Sequence, residues 1–557
     1  MIKDIIFQIK YTLSQLKFNR KKGINQRLEA SFGALKDDTF DFDSIEKYFR
    51  KKDNSKAHQV LSDKTCNDLD VDDLFMFLDR THSKVGQQYL YNNLRTIKVN
   101  EKQTKLNEEI ITELSENLEL RISVQKEIEK LKHKDAYYIT TLFQDEHINP
   151  PKWFFVIKLL SFTSLVSLIF AFFNPIFFIV LLGVFCVNFV LHYWNKNNLV
   201  QYVGSIPQLL KLNNVASHLF TNPLFKKINP DLPKSIKIID EVKSRMSFFS
   251  LEAKLQGEFQ IIVWFVFEIF KTLFLLEPLL LFGVLKRLNN KREQIENVFK
   301  FVGHIDMLIS IASLRNGLET YCLPTINNED KISVKDISHP LIFNCTTNSI
   351  EIAEKSILLT GSNMSGKTSF IRAIGLNVIT GLTINTCFAK SMTFPLLKVF
   401  SAIRISDDLM NDKSYYFEEV VTIKEMLKES ENKNKNLFLL DELFKGTNTV
   451  ERISAGKSVL SALTKHNNKI LVSTHDIELT DMLSDEYELF HFSETVKDKN
   501  VGFDYKLKIG KLKNRNAIRI LEINDYPKEV VNEAIEIAKE LDKTYVAKNT
   551  TGNNVYN

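Results

Sequence analysis

The stretch Gly361-Ser362-Asn363-Met364-Ser365-Gly366-Lys367-Thr368 limits the folds open to this chain more than any other. It fits GxxxxGK[ST], with the apolar run SILLT (Ser356 to Thr360) before it and IRAIGLNVI after it. Strand, glycine-containing loop and helix in that order form a phosphate cradle. Gly361 and Gly366 let the backbone turn its N–H groups onto phosphate oxygens, with Ser362, Asn363, Met364, Ser365 and Ser369 completing the wrap. Lys367 is placed to reach the β- and γ-phosphates and Thr368 to hold Mg²⁺ through its hydroxyl. The expected ligands are ATP and Mg²⁺.

Two further apolar runs end in residues of the same chemistry. LFLLDE (Leu437 to Glu442) offers Asp441 as a second Mg²⁺ anchor and Glu442 to polarise a water against the γ-phosphate. KILVSTH (Lys469 to His475) brings His475 to a third strand end as a γ-phosphate sensor. Helical stretches separate these strands, which predicts a parallel α/β sheet.

The N-terminal half reads differently. VDDLFMFLDRTHSKVGQQYLYNNL (Val71 to Leu94) carries apolar residues at helical spacing, with Thr81 and Ser83 where one helix stops and the next is capped. NEEIITELSENLELRISVQKEIEKLKHK reads as one long charged amphipathic helix. Then Trp153 to Phe173 contains a single charge, Lys158, Asn174-Pro175 breaks the run, and Pro175 to Trp194 contains none. Each half has roughly the 20 residues a helix needs to cross hydrocarbon. Trp153, Tyr193 and Trp194 stand at the ends, and Lys152 and Lys196 flank the pair on one side, as in a two-span hairpin with both ends cytosolic. Residues 259–285 are apolar too but carry Glu268, Lys271 and Glu277, so they read as a long core or lever helix, with a third span as the alternative.

A net charge of +5 over 557 residues is too small to argue for nucleic acid. The five cysteines are scattered without CxxC spacing, which supports neither a disulfide framework nor a zinc site. Low Gly and Pro counts with Lys, Asn and Ile richness hint at an AT-rich bacterial genome. With both hairpin ends read as cytosolic, the expectation is a bacterial inner (plasma) membrane with the nucleotide-binding half cytoplasmic.

GSNMSGKTSFIRAIG, FSAIRISDDLMNDKSYYFEEV, FLLDELFKGTNTVE and LVSTHDIELT, in that order, resemble the ATPase domain of the MutS mismatch-repair family. There the corresponding motifs read TGPNMGGKST, STF..E, LLDE.GRGT and ATH. DISHPLI and NRNAIRILEINDYPKEVVNEAIEIAKEL resemble segments that open and close that domain, and DLDVDDLFMFLDRTHSKVGQQYLYNNLR resembles the start of the family's helical core. The resemblance implies an ABC-type homodimer, in which Ser414, the signature serine, completes the nucleotide site of the other subunit and Glu419 is its acidic partner. ATP would join two heads, and hydrolysis at Glu442 would release them. Ser362 and Ser365 depart from the family loop, Tyr415 and Tyr416 from the signature, and Lys445 stands at an arginine position.

The fold expected is an α/β P-loop (ABC-type) ATPase domain at the C-terminus, preceded by an all-α core/lever domain interrupted by a transmembrane helical hairpin. The boundaries are an N-terminal helical segment 1–60, core helices 61–150, hairpin 151–195, lever and core helices 196–335, ATPase domain 336–545 and a disordered tail 546–557. About 60 residues precede the core, too few for the family's mismatch-reading and connector domains. The function expected is a membrane-anchored MutS-like ATPase, multi-pass with two spans, contacting lipid through residues 153–194. DNA is left open as a partner, without mismatch specificity. The alternatives are a mismatched-DNA repair protein and an ABC-like gating or regulatory scaffold.

Overall fold

The computed structural model describes residues 22–146, 150–244, 246, 248–249, 261–362, 364–404, 415–497, 500–512, 517–524 and 526–551. Two compact units emerge: Met1–Ala57 with Phe75–Leu318, and His58–Leu74 with Glu319–Asn557.

The first unit is helical. Ser83 caps helix α1 (Lys84–Arg95), its hydroxyl accepting from Gly86 N at 2.9 Å. The stretch read as one long helix is two, α2 (Glu101–Glu116) and α3 (Leu118–Ile128). Asn117 ends the first and caps the second, accepting from Leu120 N at 3.0 Å. Asn prefers this role because its short side chain satisfies an orphan amide.

The apolar hairpin forms α4 (Phe154–Phe170) and α5 (Ile176–Leu219). Asn174 turns the chain, its Oδ1 accepting from Ile176 N at 3.0 Å. Helix α5 runs on well past Trp194. Its segment Ile176–Trp194, with mean hydropathy 2.4, is long and apolar enough to cross a membrane. Leu276–Asn316 passes the same test but is mostly buried, as a core helix would be. Phe155, Phe162, Phe172, Ile179 and Val190 are all exposed, Phe172 at 85%.

Residues 261–288 depart from the single long helix expected. Leu275 has φ 48° and separates α6 (Ile261–Phe274) from α7 (Leu276–Leu288), which is followed by α8 (Arg292–Asn316). Helix α6 packs on α4 and α5, with Phe265, Val266 and Phe270 outward and Glu268 and Lys271 buried. The charges answer one another: Lys271 Nζ lies 2.7 Å from Glu268 Oε2 and 3.2 Å from Glu277 Oε2, and His192 Nε2 lies 3.1 Å from Glu268 Oε1. Buried charge persists only when paired in this way.

In the second unit six strands carry the site: β1 (Ser356–Thr360), β2 (Leu397–Ala402), β3 (Lys435–Asp441), β4 (Lys469–Ser473), β5 (Tyr487–His491) and β6 (Lys508–Ile509). Their order is β6-β5-β1-β4-β3-β2, parallel except for β6. Every residue of β1 and β4 is buried, as expected for central parallel strands. Leu358, Phe438, Leu440, Ile470 and Val472 belong to one core cluster. A second sheet of four strands lies in the same unit. The helix Lys528–Thr551 takes in part of the tail expected to be disordered.

Residues 58–74 group with this unit, although the sequence places 61–74 in the helical core. Buried Asp68 accepts from Ser401 Oγ at 2.7 Å, Ile403 N at 3.0 Å and Arg404 N at 2.9 Å, which fixes the end of β2. Asp68→Ala strips three donors of their acceptor and is expected to cost about 2–4 kcal/mol. Denaturant unfolding of the full chain measures this, and a change within about 0.5 kcal/mol, the range of an ordinary surface substitution, would refute the role.

Candidate functional site

Strand β1 delivers the chain to Gly361 and helix α9 (Lys367–Ile384) takes it away. Gly361 has φ 149°, and a Cβ there would come within 2.6 Å of Phe492 O. Gly366 caps α9 at φ 105°, where side chains other than glycine's are strained. The two glycines expected from sequence are therefore required by the backbone. Lys367 is buried and donates to Gly361 O at 2.8 Å and Ser362 O at 2.9 Å, so its ammonium lies folded across the loop. Burial lowers its pKa. Ser365 Oγ donates to Ser362 O at 2.7 Å, closing the loop from inside. Met364 is 82% exposed at φ 70°, and Ser369 lies in the first turn of α9. Asn363 and Ser414 fall outside the described residues.

Thr368 Oγ1 donates to Asp441 Oδ2 at 2.7 Å, and Ser473 Oγ donates to Asp441 Oδ1. Asp441 and Ser473 are register partners on β3 and β4, so the parallel ladder itself aligns them. Glu442 follows at φ 53°, its amide donating to Ser473 O at 2.9 Å. His475 Nε2 lies 2.8 Å from Glu442 Oε1, and Lys445 Nζ lies 2.5 Å from Oε2. Burial pushes the Glu442 carboxyl up, but the hydrogen bonds from His475 and Lys445 outweigh it and hold the group down at about 2.

Lys367, Thr368, Asp441, Glu442 and His475, spread over three strand ends, are thus brought to one edge of the sheet. His475 meets the Glu442 carboxylate, a contact that sequence did not foresee. Glu419 is buried beneath the segment after β3 and accepts from Phe444 N at 2.6 Å. Burial raises its pKa.

A cavity of about 510 Å³ opens over the loop. Its lining includes Ser362, Met364, Gly366, Lys367, Thr368, Ser369 and Glu442 together with His339, Phe343, Asn348 and Tyr505. Phe343 is 91% exposed, and burial lowers the His339 pKa to about 4. Glu494 accepts from Ser362 Oγ at 2.6 Å. Sequence reasoning missed Ser473, Glu494 and Tyr505. Ser473 alone carried a local signal, since it lies on the strand that leads to His475.

The strand–loop–helix unit and the converging Lys367, Thr368 and Asp441 define a P-loop domain. Residues 357–542 match the family model described as MutS domain V, so the chain carries that domain over about a third of its length. It is similar to the DNA mismatch repair protein MutS of Clostridium kluyveri, 29% identical over 278 residues, which cover 47% of this chain and 32% of that protein. The MutS protein of Fusobacterium nucleatum is 29% identical over 266 residues, covering 43% of this chain and 29% of that protein. That of Thermotoga maritima is 28% identical over 287 residues, covering 50% and 36%. The matched region spans about a third of the length of these relatives.

The low Glu442 pKa has a defined pH signature. Its folded value lies below the unfolded value of about 4.3, so the ionised carboxylate stabilises the fold above that pH, and the contribution fades as pH falls toward 2. The stability difference between wild type and Glu442→Gln is expected to be constant above about pH 5 and to shrink steadily below it. Denaturant titrations across this range read it, and a difference independent of pH would contradict the ion-paired geometry.

Proposed function

We propose that the chain is a membrane-anchored ATPase of MutS type, which binds and hydrolyses Mg²⁺-ATP at the interface of a homodimer and couples this to movement of its helices. The observation that carries the reading is the contact of Thr368 Oγ1 with Asp441 Oδ2 beside Lys367 and Glu442, under a cavity of about 510 Å³. The donor set suits the cofactors: hydroxyl and carboxylate oxygens for a hard divalent ion, an ammonium and loop amides for phosphate. When bound, Mg²⁺-ATP supplies the phosphoryl group that is transferred to water.

The residues divide the work. Lys367, now on the carbonyls of Gly361 and Ser362, would turn its ammonium to phosphate oxygens. Thr368 and Asp441, already in contact, would hold the metal ion. Glu442 orients a water, and His475 holds the carboxylate in place. A carboxylate gripped by two cationic or N–H donors is a weak proton acceptor. Lys445, half exposed, is the partner that can swing away and restore the basicity of Glu442. Ser414 from a second copy is assigned to close the site, as the family resemblance implies.

Membrane anchoring is supported by the exposed apolar surface of Phe154–Phe170, Ile176–Trp194 and α6, which water would oppose and hydrocarbon would accept. The inward charges of α6 fit the same solvent, since polar groups there turn toward protein. This reading places the protein in a bacterial inner membrane with the P-loop domain cytoplasmic. The relatives are named for mismatch repair, and DNA remains a candidate partner by that likeness. A gating scaffold that binds ATP without turnover is the other alternative.

Lys367→Ala is expected to abolish ATP binding, and Glu442→Gln to retain it while turnover falls about 100-fold or more. Steady-state phosphate release from the detergent-purified full chain decides this, and an unchanged rate removes the catalytic assignment. Deleting residues 153–194 is expected to move the protein to the soluble fraction, and a variant that stays in the membrane pellet overturns the hairpin anchor. Affinity for mismatched over matched duplex, at one salt concentration, is expected to be near unity, and a ratio above about a hundred would restore the repair reading.

A further inference from the structure

Cys322 and Cys387 are distant in sequence yet form an isolated antiparallel bridge. Cys322 N donates to Cys387 O and Cys387 N to Cys322 O, both at 2.9 Å. A directly opposed, doubly hydrogen-bonded pair has Cα atoms about 5.5 Å apart, with both side chains on one face. That Cα separation falls inside the window a disulfide requires, about 4.4–6.8 Å, and the Cβ atoms, about 4.5–5.5 Å apart in directly opposed pairs, have to close to about 3.5–4.5 Å for the bond to form. Both cysteines are free thiols, and each lies within hydrogen-bond reach of the other.

The two thiols differ in the way a reacting pair needs. Cys322 is partly exposed, and its hydrogen bond with Cys387 holds its pKa below the usual thiol value. Cys387 is fully buried, its Sγ 3.3 Å from Asn377 O, and burial raises its pKa. Thiolate character and access select which cysteine a peroxide meets first.

We propose that Cys322 and Cys387 constitute a reversible disulfide-forming site whose oxidant is a hydroperoxide. The Cys322 thiolate attacks one peroxide oxygen. The O–O bond breaks, and the departing oxygen takes a proton to leave as water or alcohol. Cys322 is now a sulfenic acid. The Cys387 sulfur attacks the Cys322 sulfur, the S–O bond breaks and the S–S bond forms. The hydroxide released takes up the Cys387 proton and leaves as water. Two electrons pass from the thiol pair to the peroxide, and an external dithiol reverses the change by exchange. The bond would tie the segment entering the second unit to the residues that follow α9, the helix that begins at Lys367.

The test treats the full chain, purified in detergent, with hydrogen peroxide, then denatures it in the presence of N-ethylmaleimide so that buried Cys387 is reached, and maps peptides without reduction by mass spectrometry. A linked Cys322–Cys387 peptide, two hydrogens lighter than its reduced parts and lost on treatment with dithiothreitol, is expected as the main oxidised species. Cys322→Ser, at the more exposed position, is expected to leave Cys387 reduced and maleimide-labelled. The proposal is overturned if both cysteines of the wild type remain labelled after peroxide. It is also overturned if Cys322 accumulates as sulfinic or sulfonic acid without a link. Neither outcome depends on ATP turnover or on lipid.

Discussion

The carboxylate of Asp441 is the junction on which the second unit turns. One oxygen receives the Thr368 hydroxyl from the first turn of α9, and the other receives the Ser473 hydroxyl from the neighbouring strand. Three elements distant in sequence meet at one charge. The strand order β1-β4-β3 allows this meeting, because the three strands are parallel and their C-terminal ends lie on one side of the sheet. A charged acceptor with hydroxyl donors also makes stronger hydrogen bonds than neutral pairs do. The position that aligns the loop is thus the position a divalent ion would occupy beside Thr368.

Glu442 shows how one step along the chain changes the chemistry. Asp441 closes the regular strand, and Glu442 leaves it at φ 53°. That turn carries its side chain to His475 and Lys445. Strain of this kind is held in place by surrounding bonds, here the Glu442 amide on Ser473 O and the Phe444 amide on buried Glu419. The first unit solves a different problem. Its α6 turns Glu268 and Lys271 inward and leaves phenylalanines outside, the reverse of a helix packed for water.

Much of the site was legible because its residues sit at strand ends after apolar runs. Thr368, Asp441, Glu442 and His475 all follow from SILLT, LFLLD and KILVS by that logic, and the glycines by the backbone angles the loop needs. The hairpin was legible for the same reason, since an uncharged run broken by Asn174-Pro175 has few other solutions. What stayed hidden depended on tertiary contact. Glu494 on Ser362 and the cysteine bridge join residues whose local patterns carry no hint of one another. Asp68 lies in a helical stretch and gives no sign that it fastens the end of β2. The break at Leu275 did carry a signal in Pro278, in the first turn of α7, whose missing N–H and ring cannot continue the helix from Phe274, but the apolar run on both sides obscured it. Asn117 did carry a capping signal, but a continuous charged pattern on both sides obscured it.

The central claim is that Asp441 and Thr368 form a metal-assisted triphosphate site. The most direct measurement is equilibrium binding of ATP to the detergent-purified full chain, with and without Mg²⁺, for wild type and Asp441→Asn. The account predicts that Mg²⁺ tightens binding to wild type and that the substitution removes this dependence on the metal. Equal affinities with and without Mg²⁺ in the wild type would contradict it.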